Sequence, residues 1–389
     1  MLVAYLDRIN MPVAASSMMA ALHLTKTQWG FALSAFTLGY AIMQAPGGHF
    51  ADKYGSRWIL ISAIVIWSIF TGLTGLASSL AMLIAIRVIF GFGEGIENGA
   101  QYRLVGLYFE PKERAFANSI FLSALALGPA FGTPIAAWLV AGWGWERMFG
   151  VFAVAGLAVS AILIALLPRD KPATAAEPSK GSPGGGFAGV LKLPSSWLCA
   201  GSYFLFNAAF WGFLSWVPNY LREDRHIPLV KSGMVGALPY FAGFVGMMLA
   251  GYLGSSVFAN RRPVLVAACY LLAAGGLLIA LTAGSVFVCL CGLCFCGFFL
   301  YGGFGPFWAV AIDLAPPNAR GVFTGSVNCC GQIGAFGSQI IIGFLADRMK
   351  SFSGAILFMT GALICSAMVM LALQRFFKAQ ESLLADNGR

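Results

Sequence analysis

The chain has 389 residues, of which 59% are apolar and 10% charged, against about 45–50% and about 25% in a soluble globular protein. Its 24 Lys/Arg and 15 Asp/Glu cannot coat a soluble surface of this size, and single soluble cores stop growing at about 250–300 residues. A soluble globular protein is excluded. At about 20 apolar residues per span, the length predicts an all-α, polytopic membrane protein of about a dozen spans.

In chain order, apolar stretches between charged or Gly/Pro-rich breaks predict spans at 1–22, 28–47, 58–78, 80–107, 115–140 and 148–167. Six more follow at 197–221, 232–254, 263–283, 286–311, 321–345 and 353–376. Between the sets, 169–192 runs through PRDKP, TAAEPSK and GSPGGG, too polar and flexible to pack, and reads as a linker. The expected organisation is a six-helix bundle at 1–168, a cytoplasmic linker at 169–192, a second bundle at 193–378 and a short cytoplasmic tail at 379–389.

The net charge of +9 includes no basic run longer than two residues, so no nucleic-acid partner is expected. The charge instead orients the chain. With the N-terminus inside, 14 Lys/Arg fall in cytoplasmic loops and tails and seven on the other face, while Arg8, Arg87 and Arg103 remain within spans. The positive-inside rule then puts both termini in the cytoplasm. The nine cysteines lie in apolar stretches and give no disulfide framework. Cys289, Cys291, Cys294 and Cys296 have no His or carboxylate beside them and a helix spreads them around its axis, so they read as filler and no metal is expected.

An internal repeat supports the six-plus-six plan. ERAFANS at 113–119 and ARGVFTGS at 319–326 both open a span after a cytoplasmic turn, with Arg114 and Arg320 206 positions apart. At the same offset, Gly48 matches Gly254. Two homologous halves predict alternating access around a mid-membrane site. Only six residues precede Asp7, fewer than the roughly ten needed to reach the midplane, so the first helix is expected to be shortened at its N-terminus. No cleavable signal peptide is expected.

Ionisable residues at bilayer depth are costly unless paired or lining water. Asp7, Arg8, Arg87 and Glu94 stand out. Arg87 and Glu94 are two helical turns apart and share a face that can look toward the first span. Two acids and two bases around one cavity suit a proton relay with an anion clamp, since arginine forks onto carboxylate and a buried carboxylate can exchange a proton near neutral pH. Structural ion pairing is the plainer alternative, a poor bargain in lipid. Glu97, one turn on, is either a second titrating group or an acceptor for Arg103. The glycines of GFGEGIENG suit close helix contact or bending; with no strand before them, a dinucleotide loop is excluded.

The turn GGHFADKYGSR at 47–57 holds Asp52, Lys53 and Arg57, with Gly48 and Gly55 permitting sharp reversal. Its carboxylate can dock on the positive end of another helix, such as the span opening near Arg320, and latch one conformation. A turn that only satisfies the charge rule is the alternative.

Gly48, Ala51, Asp52, Lys53, Gly55 and Arg57 resemble the hallmark loop of the major facilitator superfamily. YLDRIN at 5–10, GYAIMQAPGG at 39–48, RVIFGFGEG at 87–95, WVPNYL at 216–221 and GPFW at 305–308 resemble its anion:cation symporter family, over nearly the whole chain. The resemblance implies a major facilitator fold of twelve helices in two pseudo-symmetric bundles. It further implies proton-coupled import of an organic anion, most often a sugar acid such as galactonate, glucarate or a hexuronate. By it, Asp7 and Glu94 are the coupling acids, Arg8 or Arg87 holds the substrate carboxylate, and Tyr5, Tyr40, Gln44, Trp308 and Asn328 meet polyol hydroxyls. Helix-helix glue is the alternative for Gln44 and Asn328, and ordinary core packing for Tyr40 and Trp308.

Two departures qualify the match. Ile96, Glu97, Asn98 and Gly99 replace the usual small, aromatic and proline residues, so Glu97 and Asn98 bear on substrate range or the relay. GSSVFANRR at 254–262 lacks the aspartate of the first-half loop. The expected protein is a monomer in the cell's inner membrane, with a small anion and protons as partners, the proton gradient as energy source and no cofactor. An exporter or antiporter of a drug or metabolite is the rival transport function. A nutrient sensor is disfavoured by the short tail, and an enzyme because His23, His49 and His226 lie in separate loops.

Overall fold

The computed structural model describes residues 1–110, 114–167, 187–316 and 319–386, without the side chains of 45, 48, 52, 98, 99, 102, 106, 107, 114–119, 187, 188 and 376–386. The packing around Gly48, the side chains of Asp52, Asn98 and Arg114, most of the linker and the tail's side chains therefore lie outside what the structure describes. Every regular element among those described is helical.

The helices are α1 (Leu2–Ala21), α2 (Lys26–Tyr54), α3 (Ser56–Thr74), α4 (Leu80–Tyr108), α5 (Arg114–Trp143), α6 (Trp145–Leu166), α7 (Phe187–Leu191) and α8 (Pro194–Glu223). Then follow α9 (Leu229–Gly236), α10 (Leu238–Ser255), α11 (Arg262–Thr282), α12 (Val286–Gly302), α13 (Phe304–Leu314), α14 (Arg320–Met349) and α15 (Ser353–Asp386). Among the described residues, nine helical segments are long and apolar enough to cross a membrane. The helices α1, α2 and α4 fall outside those nine, although at 20, 29 and 29 residues they have the length. They carry the polar groups described below.

Two expected single spans are interrupted. The stretch 232–254 breaks at Ala237, ahead of Pro239, and 286–311 at Gly303, ahead of Pro306. A proline in a first helical turn forms no N–H bond to the preceding turn, so it favours a fresh start. The turn expected at 47–57 is shorter than its sequence suggests. Helix α2 continues to Tyr54, and Gly55 alone, at φ 88°, reverses the chain into α3. That left-handed conformation is open to glycine at little cost.

The chain forms two compact units. The first comprises Met1–Glu177 with Leu214–Ala237 and Gln339–Ser351; the second comprises Pro178–Phe213, Leu238–Ser338 and Phe352–Arg389. In the first, α2 packs along α4, α3 against α4 and α6, and α1 against α5. The α2–α4 contact is built on glycines. A Cβ on Gly91 would fall 2.3 Å from the Phe36 carbonyl oxygen, and one on Gly39 2.1 Å from that of Val88. Gly91→Val is accordingly expected to destabilise the fold by about 1–3 kcal/mol or more, as overpacking does. Gly142→Ala, with nothing within 4 Å of the added carbon, should leave thermal unfolding of the purified protein nearly unchanged.

The N-terminus of α2 is held by three sets of contacts inside the first unit. Thr25 and Gln28 form a reciprocal capping box. Asp347 accepts from the Lys26 and Thr27 amides at 3.1 and 2.8 Å and from the Thr27 hydroxyl at 2.6 Å. The Lys26 ammonium lies 2.8 Å from Glu223. A carboxylate at a helix N-terminus satisfies orphan N–H groups and meets the positive end of the dipole. In the second unit, α12 packs between α10 and α11, and α11 against α15. There Cys289 and Cys296 of α12 are buried while Cys291 is exposed, so the thiols face different sides.

Candidate functional site

Helix α1 carries Asp7 and Arg8 as consecutive residues, which a helix turns about 100° apart. Each therefore meets different neighbours. Arg8 Nε donates to Glu94 Oε2 of α4 at 2.6 Å, with both side chains buried. Its guanidinium also lies over three rings, Tyr5 at 4.4 Å, Tyr40 at 5.1 Å and Phe36 at 5.4 Å. Asp7 turns instead toward Asn10, whose Nδ2 donates to Oδ1 at 3.2 Å, with the Trp67 indole of α3 among its nearest groups. Close packing of α1 on α5 holds this register: a Cβ on Gly128 would fall 2.3 Å from that of Tyr5.

Arg87 is 4% exposed on α4, two turns before Glu94. Its guanidinium carbon lies 4.4 Å from the Phe90 ring and 5.0 Å from that of Phe36. It forms no ion pair among the described residues, and its Nε has no acceptor. Phe36 thus stands against both guanidiniums, one neutralised by Glu94 and the other not. The second carboxylate oxygens of Asp7 and Glu94 are also buried without a donor.

The structure thus brings together Tyr5, Asp7, Arg8, Tyr40, Arg87 and Glu94 within the first unit. Gln44, half-buried, lies one turn beyond Tyr40 on α2. Of the two ionisable residues on that face of α4, Glu94 goes to Arg8, across helices. Glu97 accepts from Gln101 on the next turn of its own helix and pairs with the Met1 ammonium at 3.0 Å. Arg103 donates to the Ala51 carbonyl and the Ser56 hydroxyl at 3.2 and 3.0 Å, bracing the α2–α3 corner. At that corner Arg57 donates to the Ile164 carbonyl in the last turn of α6, where a cation meets the negative end of the dipole. Lys53 and Arg320 are exposed.

Trp308 and Asn328 belong to the second unit and are half-buried. There the Tyr203 ring stacks on Phe307 at 4.8 Å and meets Trp308 edge-on at 5.0 Å. Asn207 Nδ2 donates to the Tyr203 carbonyl at 3.0 Å. Gly331, one turn from Asn328, makes room for both: a Cβ there would fall 2.3 Å from the Tyr203 ring and 2.9 Å from Asn207 Nδ2. Tyr203 and Asn207 are not among the site residues expected from the sequence. Their signal was a tyrosine and an amide one turn apart inside an apolar span.

Chemically, the first unit offers a buried cation open to an anionic oxygen, a carboxylate–guanidinium pair that separates when the carboxylate takes a proton, and a second buried carboxylate beside it.

Comparison with known proteins agrees with this transport-like inventory. Over 96% of its length the chain is 30% identical to a probable galactarate/D-glucarate transporter, GarP, of Escherichia coli (strain K12), covering 91% of that protein. Over 95% it is 29% identical to the hexuronate transporter of Bacillus subtilis (strain 168), covering 91%. Its fold matches the crystal structure of a bacterial homologue of the human lysosomal transporter Spinster, inward-facing and unoccupied. The TM-score is 0.78 at 20% identity, with 99% of this chain and 95% of that one covered. The Major Facilitator Superfamily pattern matches residues 1–339. A helical chain whose buried charges, among the described residues, all lie in one unit, and which carries that pattern over most of its length, is a member of the major facilitator superfamily: a transporter, not an enzyme.

Proposed function

We propose that this protein imports a sugar acid or closely related organic anion together with protons, by alternating access. The observation that carries this reading is Arg87, a buried guanidinium with no ion pair among the described residues. A lone cation in such a place is costly unless an anion arrives to pair with it. The sugar-acid transport named for the relatives supports the substrate class.

In the proposed cycle, Glu94 and Asp7 protonate while the site faces outward, and Glu94 releases Arg8. The substrate carboxylate docks on Arg87, with Arg8 then available to it, and Tyr5, Tyr40, Gln44, Trp308 and Asn328 meet its hydroxyls. The two halves rock, the protons leave, Glu94 reclaims Arg8 and the anion is freed. Twelve spans in two six-helix bundles, an inner-membrane location with both termini cytoplasmic, a monomeric carrier and a latch at Asp52, Arg114 and Arg320 complete the proposal.

The direct test is uptake of labelled glucarate, galactonate and glucuronate into proteoliposomes with an imposed pH gradient. Accumulation of at least one of them above equilibrium, abolished by a protonophore, is expected. Uptake indifferent to the gradient, or net movement only in the opposite sense, sinks the symport reading.

A further inference from the structure

We propose that the interior of the first unit holds a file of buried waters that carries protons to Asp7 between α1 and α3, on a route separate from the guanidinium that receives the anion. The inference rests on the proton-coupled reading above and adds a path and residues to it.

Within Asp7–Asn10 of α1 and Trp67–Thr71 of α3, five polar atoms are buried without a hydrogen-bond partner among the described residues: Asp7 Oδ2 and Asn10 Oδ1 on α1, and Trp67 Nε1, Ser68 Oγ and Thr71 Oγ1 on α3. None of the five residues is more than 3% exposed. Native interiors pair nearly all such groups, and where protein partners are missing a buried water making about three bonds takes their place. The atoms also follow one direction. Helix α2 returns between α1 and α3, so α1 and α3 run the same way, and Asn10 and Thr71 lie one turn further along them than Asp7 and Trp67. Both point the track toward the connections at 22–25 and 75–79.

A Cβ on Gly156 of α6 would fall 2.1 Å from Ser68 Oγ, so the hydroxyl packs directly on the bare backbone of α6. Thr71 lies five residues from exposed Leu76, about 8 Å of helix rise. That distance takes two or three waters. At the other end of the track stands Asp7 Oδ2. The charges of Glu94 and Arg87 act on Asp7, and Glu94 is held by Arg8, so a proton delivered to Asp7 need not pass the aromatic faces around Arg87.

The test compares wild type, Ser68→Ala/Thr71→Val and Thr71→Ser in proteoliposomes. Two readings are taken: uphill uptake driven by a pH gradient, and counterflow exchange of labelled for unlabelled anion at equal pH. Exchange shuttles the loaded carrier without reloading protons each turn, so it should stay within twofold of wild type in all three. Uphill uptake should fall about tenfold in the double variant and persist in Thr71→Ser, which keeps the hydroxyl. Melting temperature is the independent reading. Hydroxyls bonded to water leave it unchanged or lowered on removal, whereas dry, unsatisfied hydroxyls raise it. Unimpaired uphill uptake, an equal loss of exchange, or a raised melting temperature overturns the water file while leaving the proposed function standing. A wild type that shows exchange without gradient-driven uptake removes both.

Discussion

Replacing Arg87 with methionine is expected to abolish anion uptake and, at the same time, to raise the melting temperature. The two effects have one cause. Arg87 is buried between Phe36 and Phe90 with no ion pair among the described residues, so the folded protein bears the desolvation of a cation that has only the more distant charges of Asp7 and Glu94 to offset it. Cation–π contact recovers about 0.5–2 kcal/mol but gives no acceptor for the N–H fork. Methionine keeps the length, packs well against rings and removes the charge; exchanging a buried ion for a well-packed apolar residue commonly stabilises by about 1–4 kcal/mol. Losing a buried charge-assisted contact to the substrate costs about 2–5 kcal/mol, or about 30- to 5,000-fold in affinity. Uptake within threefold of wild type, or a lowered melting temperature, would falsify the assignment of Arg87 as the anion's partner.

Glu94→Gln should separate coupling from transport. The 2.6 Å contact from Arg8 is buried on both sides, and the amide keeps an acceptor while discarding the charge, as protonation does. Arg8 is then permanently released, so binding and exchange of the anion persist while accumulation against a gradient disappears. Arg8→Gln alone leaves Glu94 buried without its cation and should cost about 3–5 kcal/mol. In the double variant most of that cost should return, giving a coupling energy that thermal unfolding can read. Uphill accumulation unchanged by Glu94→Gln excludes this carboxylate from the coupling step.

How much of this site was legible beforehand varies from residue to residue. Asp7, Arg8, Arg87 and Glu94 were conspicuous because ionisable groups at bilayer depth are expensive. Their partners were not, because an i, i+7 spacing says which face two residues share and nothing of what faces them. That Glu94 is held by Arg8, across helices, is therefore read only from the fold. For Glu97 the sequence offered a relay or Arg103; Gln101, one turn away, and the Met1 ammonium take it, and Arg103 braces Ala51 and Ser56. Phe36 and Phe90 could not be singled out among 33 phenylalanines, since an aromatic that covers a guanidinium and one that faces lipid look alike in a hydropathy pattern. The caps on α2 from Asp347 and Glu223 were equally invisible, lying about 200 or more positions away in the chain.

The amino-acid sequence by itself determined the solvent, the helical class, the superfamily and the short roster of costly charges, because composition, period and local motif act over a few residues at a time. The tertiary structure decided which of those charges are neutralised and which is left waiting. That decision turns on glycines that bring α2 within touching distance of α4 and set α1 against α5, and on the 100° between Asp7 and Arg8 that sends one toward a polar interior and the other to Glu94. Contacts between distant helices depend on close approach in space, which no linear spacing encodes.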